Sequence, residues 1–308
     1  MAGSGSVAAA PRRTVAVDLP RPRGRFRRAV LVVLVFVLVA VCWELLKWLA
    51  GDPWRINGLG LSIQHNPPFR WRLVSDLSLP HVWDIGAAFT QPIASGEPLG
   101  ASLVGAALYT LRTAAIGFAA GAALGLLIGI VFVHSRLLER ALVPWVVASQ
   151  TVPIIAIAPI VVVALGASFV SVAVIATYLT FFPVVIASVR GLRAFDPRAG
   201  ELMRSYAATP RQVLWRLRLP ASVPYLFGAL RIAAAASVVG TIIGELPSGI
   251  PQGLGSAILN YNQYYVTAPQ RMWATIAVCT LSGLVFVGLV ALAERILTSG
   301  RYRPAPAL

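Results

Sequence analysis

Six predominantly apolar runs of roughly twenty residues recur along this chain, at 29–50, 113–133, 141–165, 169–189, 224–244 and 272–293. A helix of that length crosses a bilayer's hydrocarbon core, and in lipid each backbone donor must find its partner within the segment. The 308-residue chain is therefore read as an all-α polytopic membrane protein with about six transmembrane helices, its membrane domain covering 29–308. Charged residues make up only 12% of it, against about a quarter in soluble domains.

The net charge of +15 does not point to nucleic acid, because the arginines gather in a few loops and no basic groove with interleaved aromatics is visible. Clustered positive charge between spans is a topology signal. Residues 1–28 carry seven arginines against one acid, Asp18, and read as a disordered basic tail. With that tail inside, the 134–140 turn, the 190–220 loop and the C-terminus are cytoplasmic. The 246–270 segment then faces out and holds no Lys or Arg. The long 51–101 loop is external, and its four acids outnumber its three arginines. The expected location is the cytoplasmic (inner) membrane, crossed several times.

Several chemistries are excluded. Cys42 and Cys279 fall inside apolar runs and read as buried hydrophobes. His65, His81 and His134 are scattered with no ligand at metal spacing. The single lysine, Lys47, follows Leu46, so no G-x-x-x-x-G-K-[ST] phosphate loop exists. No H-E-x-x-H, G-x-S-x-G or carboxylate pair within a span suggests an intramembrane enzyme. No cofactor or metal is expected in this chain.

Within the spans, Gly117, Gly121, Gly125 and Gly129 recur every fourth residue, a seam at which another helix backbone can approach closely. The 141–165 run contains Pro144, Pro153 and Pro159, with Ser149, Gln150 and Thr151 between the first two. It is read as one kinked helix, with Gln150, Thr151 and Pro153 as pathway candidates or as parts of a packing kink. Glu245 ends the fifth run and is either an outer gate or a hydrated helix end. Glu44 and Lys47, one helical turn apart, read as an interfacial ion pair.

The longest hydrophilic run between two spans in the C-terminal half is 196–224. Asp196-Pro197 is an N-cap with proline at the first helical position. Thr209-Pro210-Arg211-Gln212 is a capping box. Two short helices are expected, one with Leu202, Met203 and Tyr206 along its apolar edge, the other with Val213, Leu214 and Leu217. Pro220 is expected to stop the second. A polar helix pair with an apolar edge is a docking platform.

ELMRSYAATPRQVLWRLRLPASVP, at 201–224, resembles the cytoplasmic loop of binding-protein-dependent ABC importer permeases. Glu201 matches the family's acidic residue, and Leu217-x-Leu219-Pro220 matches its closing element. Leu202 and Met203 replace two alanines, and Ala207 stands where glycine is usual, a strained residue if the turn there is left-handed. LPHVWD, TLRTAAIGF, the proline-rich third run, FFPVVIASVRGLRAFDP and Glu245 with its GLG segment resemble the nitrate/sulfonate/taurine-type branch, over about residues 79–297. The resemblance implies a type I ABC importer permease fold in which 190–220 couples to a separate ATPase subunit holding ATP and Mg. It also implies a second permease subunit, identical or related, and an external substrate-binding protein. The implied cargo is a small polar solute such as a sulfonate, nitrate, taurine or a nitrogenous precursor. The alternative is an ion-coupled carrier or channel working without an ATPase.

Overall fold

The computed structural model describes residues 25–58 and 61–298, which fold into α-helices and one β-hairpin. Residues 1–24 of the expected basic tail and the arginines beyond 298 lie outside the described residues, whereas Arg25–Arg28, expected in that tail, form the first turn of α1. The chain divides into two compact units, Met1–Val74 and Ser75–Leu308.

The first unit holds α1 (Arg25–Ala50) and the antiparallel strands β1 (Trp54–Gly58) and β2 (Leu61–His65), paired from Trp54↔His65 to Gly58↔Leu61. The residues of α1 from Val30 to Val39 leave their apolar side chains exposed, a surface stable in lipid and not in water. The open carbonyls at its end are satisfied locally: Phe69 N–H donates to Leu49 O at 3.2 Å and His65 Nε2 lies 2.8 Å from Trp48 O. Lys47, expected at an interface, is fully buried. The hairpin was not expected, since 51–101 carries little apolar periodicity.

In the second unit a short helix α2 (Val82–Ala88) begins at the His81-Trp83 segment and precedes α3 (Leu99–His134). At 36 residues, α3 is ~54 Å long, and it starts fourteen residues before the expected 113. Its first N–H groups are satisfied by carbonyls next to α2, Leu99 N to Gln91 O and Gly100 N to Phe89 O, each at 2.9 Å. That lets it extend outward past Arg112.

The third run is not one kinked helix. It forms α4 (Arg136–Ser149) and α5 (Ile154–Leu165), which meet at 96°. Pro153 disfavours helical backbone at Val152 and has no N–H to give. Ser149 Oγ and Thr151 Oγ1 donate to Val146 O and Ala148 O at 2.8 and 2.7 Å, covering carbonyls freed by the break. Gln150, Thr151 and Pro153 thus stand at this corner.

Then follow α6 (Phe169–Arg193), α7 (Pro197–Ser205), α8 (Pro210–Val213), a π-helical turn at Leu214–Arg218, α9 (Leu219–Ser248), α10 (Leu254–Gln263) and α11 (Pro269–Thr298). Contacts set the direction of each helix. A Cβ on Gly117 would lie 2.4 Å from Ala176 Cβ, on Gly121 2.6 Å from Thr180 Cβ, on Gly125 2.7 Å from Val184 Cβ and on Gly129 2.3 Å from Ser188 Cβ. Both members of each pair advance by four residues, so α3 and α6 run parallel with almost no space between them. A parallel pair requires the bent α4–α5 segment to carry the chain back across once. Helix α9 runs against α6, since Gly191 meets Ser222 at one end and Gly244 meets Val172 at the other. Helix α11 runs with α3, through the edge-to-face pair Phe118–Phe286, and against α9, through the Arg231–Glu294 ion pair at 2.7 Å. One end of the bundle therefore gathers the start of α4, the ends of α6 and α11, and the α7–α8 loop. The other gathers α2, α10 and the first turns of α3.

Candidate functional site

The α6–α9 connection is built by its own side chains. Asp196 Oδ1 accepts from Arg198 N at 2.9 Å and starts α7. Thr209 and Gln212 exchange both bonds of a capping box, at 3.3 and 2.8 Å, and start α8. Between them α7 ends in a Schellman turn: Ala208 N–H donates to Met203 O and Ala207 N–H to Arg204 O. The turn puts Ala207 at φ +50°, the left-handed region where glycine is at ease. Among the described residues it is the one non-glycine residue held there.

Pro220 does not stop the second helix. Leu219 N–H bonds back five residues to Leu214 O, a π turn, and the chain continues into α9. The widened turn separates the Pro220 ring from the carbonyl four residues back, the clash that would otherwise break a helix. The loop is thus the head of a continuous helix, Pro210–Ser248.

Leu202, Tyr206 and Trp215 are 57%, 78% and 63% exposed, while Met203, Val213, Leu214, Leu217 and Leu219 are half-buried. Trp215, which borders a hollow with Thr209, Gln212 and Arg216, was missed in the sequence because the apolar stripe passed over it. Glu201 is exposed and makes no hydrogen bond or ion pair among the described residues. The loop is held by Asp196, Thr209 and Gln212 instead.

At the opposite end, Glu245 is neither a helix end nor hydrated. It lies one turn inside α9 with 0% exposure. Thr110 Oγ1 donates to it at 2.9 Å and Gly255 N–H at 2.8 Å, while Leu254 N–H donates to Thr110 Oγ1 at 2.9 Å. The carboxylate therefore caps the start of α10, where the helix dipole favours negative charge. Gly253, at φ +107°, has no room for a side chain: its Cβ would fall 2.5 Å from Glu245 Cδ. A buried carboxyl group is tolerable only when so bonded. Thr110 was missed because Arg112 had been taken as the boundary of its span.

Beside this cluster is a cavity of about 760 Å³, lined among others by Glu97, Ser102, Tyr109, Gln252, Gly253, Ser256, Asn260 and Tyr261. It presents hydroxyls and amides, with no lysine or arginine in its lining. Burial pushes the Tyr261 phenol above its usual range. At the arginine-rich end, Arg193 grips Glu139 through two bonds of 2.9 and 2.7 Å.

Residues 121–298 match the family model of the binding-protein-dependent transport system inner membrane component. The chain is 38% identical over 146 residues to the formylaminopyrimidine transport permease protein ThiX of Halalkalibacterium halodurans, covering 47% of this chain and 58% of that protein. It is 31% identical over 229 residues to the putative aliphatic sulfonates transport permease protein SsuC of Bacillus subtilis, covering 74% and 80%. The chain spans 58%, 60% and 62% of the length of three of the curated relatives it matches. An inward-facing structure of the MetNI methionine ABC transporter is similar in fold, with a TM-score of 0.54 and 20% identity, over 67% of this chain and 99% of that one.

Proposed function

Because the chain belongs to the family of binding-protein-dependent transport system inner membrane components, we propose that it is the permease subunit of an ATP-driven importer working by alternating access. The observation that carries this reading is the α7–α8 loop, a rigidly capped platform with exposed Leu202, Tyr206 and Trp215, continuous with α9. A push on the platform is transmitted along one helix to Glu245 at the far end of the bundle. Glu201 and the apolar edge formed by Leu202, Met203, Tyr206, Val213 and Leu214 would meet a separate ATPase subunit, which binds ATP and Mg. The arginine-rich end is then cytoplasmic. A second permease subunit completes the pathway, and a binding protein delivers solute at the α10 end.

The cargo is a small polar solute. The lining of the 760 Å³ cavity supports an uncharged nitrogenous compound over an anion such as nitrate or a sulfonate, because it offers neutral donors and acceptors and one carboxylate, Glu97. An ion-coupled carrier would need a free ionisable group along its path. Glu245 is fully bonded and Arg231 is paired with Glu294, which weighs against that alternative.

The test is co-purification with the ATPase after Tyr206→Asp with Leu214→Asp. Association is expected to be lost while membrane insertion is unchanged. Retained association would sink the docking reading.

A further inference from the structure

The arginine-rich end of the bundle encloses a cavity of about 830 Å³ that the coupling reading does not use. Arg136, Arg140, Arg193 and Arg218 line it with a single carboxylate, Glu139. Four guanidiniums less one carboxylate leave three positive charges in one hollow. Glu139 is already engaged by Arg193, and Arg218 stacks over the Phe195 ring at 5.5 Å. Arg136 and Arg140 have no hydrogen bond or ion pair among the described residues. Like charges held together repel, and a bound anion relieves that repulsion.

Next to this hollow lies a groove of about 420 Å³ that is almost wholly apolar. Phe132 and Leu142 line the groove while Val133 and Val143 line the basic cavity, so consecutive residues of α3 and α4 face one and then the other. Trp145, 73% exposed, flanks the groove. A guanidinium cluster beside an apolar channel, on neighbouring faces of the same two helices, is the profile of a phospholipid at the interface, with arginine forks matching phosphate oxygens.

We infer that the cavity binds the phosphate of an anionic glycerophospholipid whose acyl chain occupies the adjoining groove. The lipid clamps the start of α4 to the end of α6 and the π turn, the three elements that meet at the base of the coupling loop.

The test uses the purified full chain, with native mass spectrometry to score retained phosphatidylglycerol and thermal unfolding in lipid nanodiscs. Wild type is expected to retain phosphatidylglycerol and to melt higher in discs containing it than in phosphatidylcholine alone. Arg136→Gln with Arg140→Gln should weaken retention about tenfold, the order expected for lost charge-assisted bonds. Arg136→Lys with Arg140→Lys, which keeps the charge but not the fork, should retain an amount between wild type and the glutamine variant, and Arg295→Gln on α11 should retain all. Unchanged retention in the glutamine variant overturns the proposal, and so does equal loss in the lysine variant. Inorganic phosphate reproducing the stabilisation in phosphatidylcholine discs would replace the lipid by a free anion. Loss of ATPase co-purification with lipid retention intact would assign these arginines to the partner and leave the coupling reading standing.

Discussion

Thr110 and Glu245, 135 residues apart in the chain, share a buried hydrogen bond of 2.9 Å that ties α3 to α9. The same hydroxyl accepts from Leu254 N–H and the same carboxylate from Gly255 N–H, so one pair of side chains fixes three helices. Thr110→Val keeps the shape and removes the hydroxyl. It should destabilise by about 1–3 kcal/mol, the cost of orphaning buried polar groups. The apparent melting temperature in detergent checks this, and an unchanged value would mean the bond carries no stability.

The glycine seam makes a paired prediction. Gly129→Ala would place a methyl 2.3 Å from Ser188 Cβ, whereas Gly105→Ala, on the same helix, would meet nothing within 4 Å. The first should cost about 1–3 kcal/mol through overpacking. The second should be neutral or stabilise by up to about 1 kcal/mol, since alanine is the better helix former. Equal melting temperatures for the two variants would contradict the close approach of α3 and α6.

Ala207 at φ +50° stores strain on the order of 1 kcal/mol. Ala207→Gly relieves it but adds freedom to the unfolded chain, so a net gain below about 1 kcal/mol is expected. Ala207→Val, with a branched Cβ, should lose about 1 kcal/mol or more. Thermal unfolding of both variants decides, and a valine variant as stable as wild type would show that the turn readily rearranges.

Trp215 extends the docking face beyond the residues expected from the apolar stripe. Trp215→Asp should weaken ATPase co-purification while leaving the stability of the isolated chain within about 0.5 kcal/mol of wild type, as for other exposed positions. Association unchanged by this substitution would restrict the face to Leu202, Tyr206 and their half-buried neighbours.

The Arg193–Glu139 pair joins α6 to α4 with good geometry, yet both side chains are partly exposed. Glu139→Gln should therefore cost no more than about 1 kcal/mol. It also leaves the basic cavity more positive, and retention of phosphatidylglycerol by native mass spectrometry should rise, not fall.

Much is legible in the sequence because two kinds of information are local. Apolar run length defines a span, and capping is decided within four residues, as Asp196 with Pro197 and Thr209 with Gln212 illustrate. The left-handed position of Ala207 was signalled only by the family resemblance, which has glycine there, and not by the local sequence. Boundaries were less legible. Arg112 looked like an edge because charge is avoided in lipid, whereas α3 simply protrudes beyond it. Pro220 looked like a stop because the rule assumes α-helical hydrogen bonding, and a π turn evades it.

Apolar run length and local capping define a bundle of membrane helices with a capped, arginine-rich loop between two of them. Those features depend on the run of residues in hand and on the absence of water in lipid. The parallel course of α3 and α6, the 96° break in the third run and the burial of Glu245 follow from packing alone. The physical reason is that a carboxylate's environment is set by what folds over it. Thr110 and Gly255 reach Glu245 from elsewhere in the fold, and no pattern within the fifth span records their arrival.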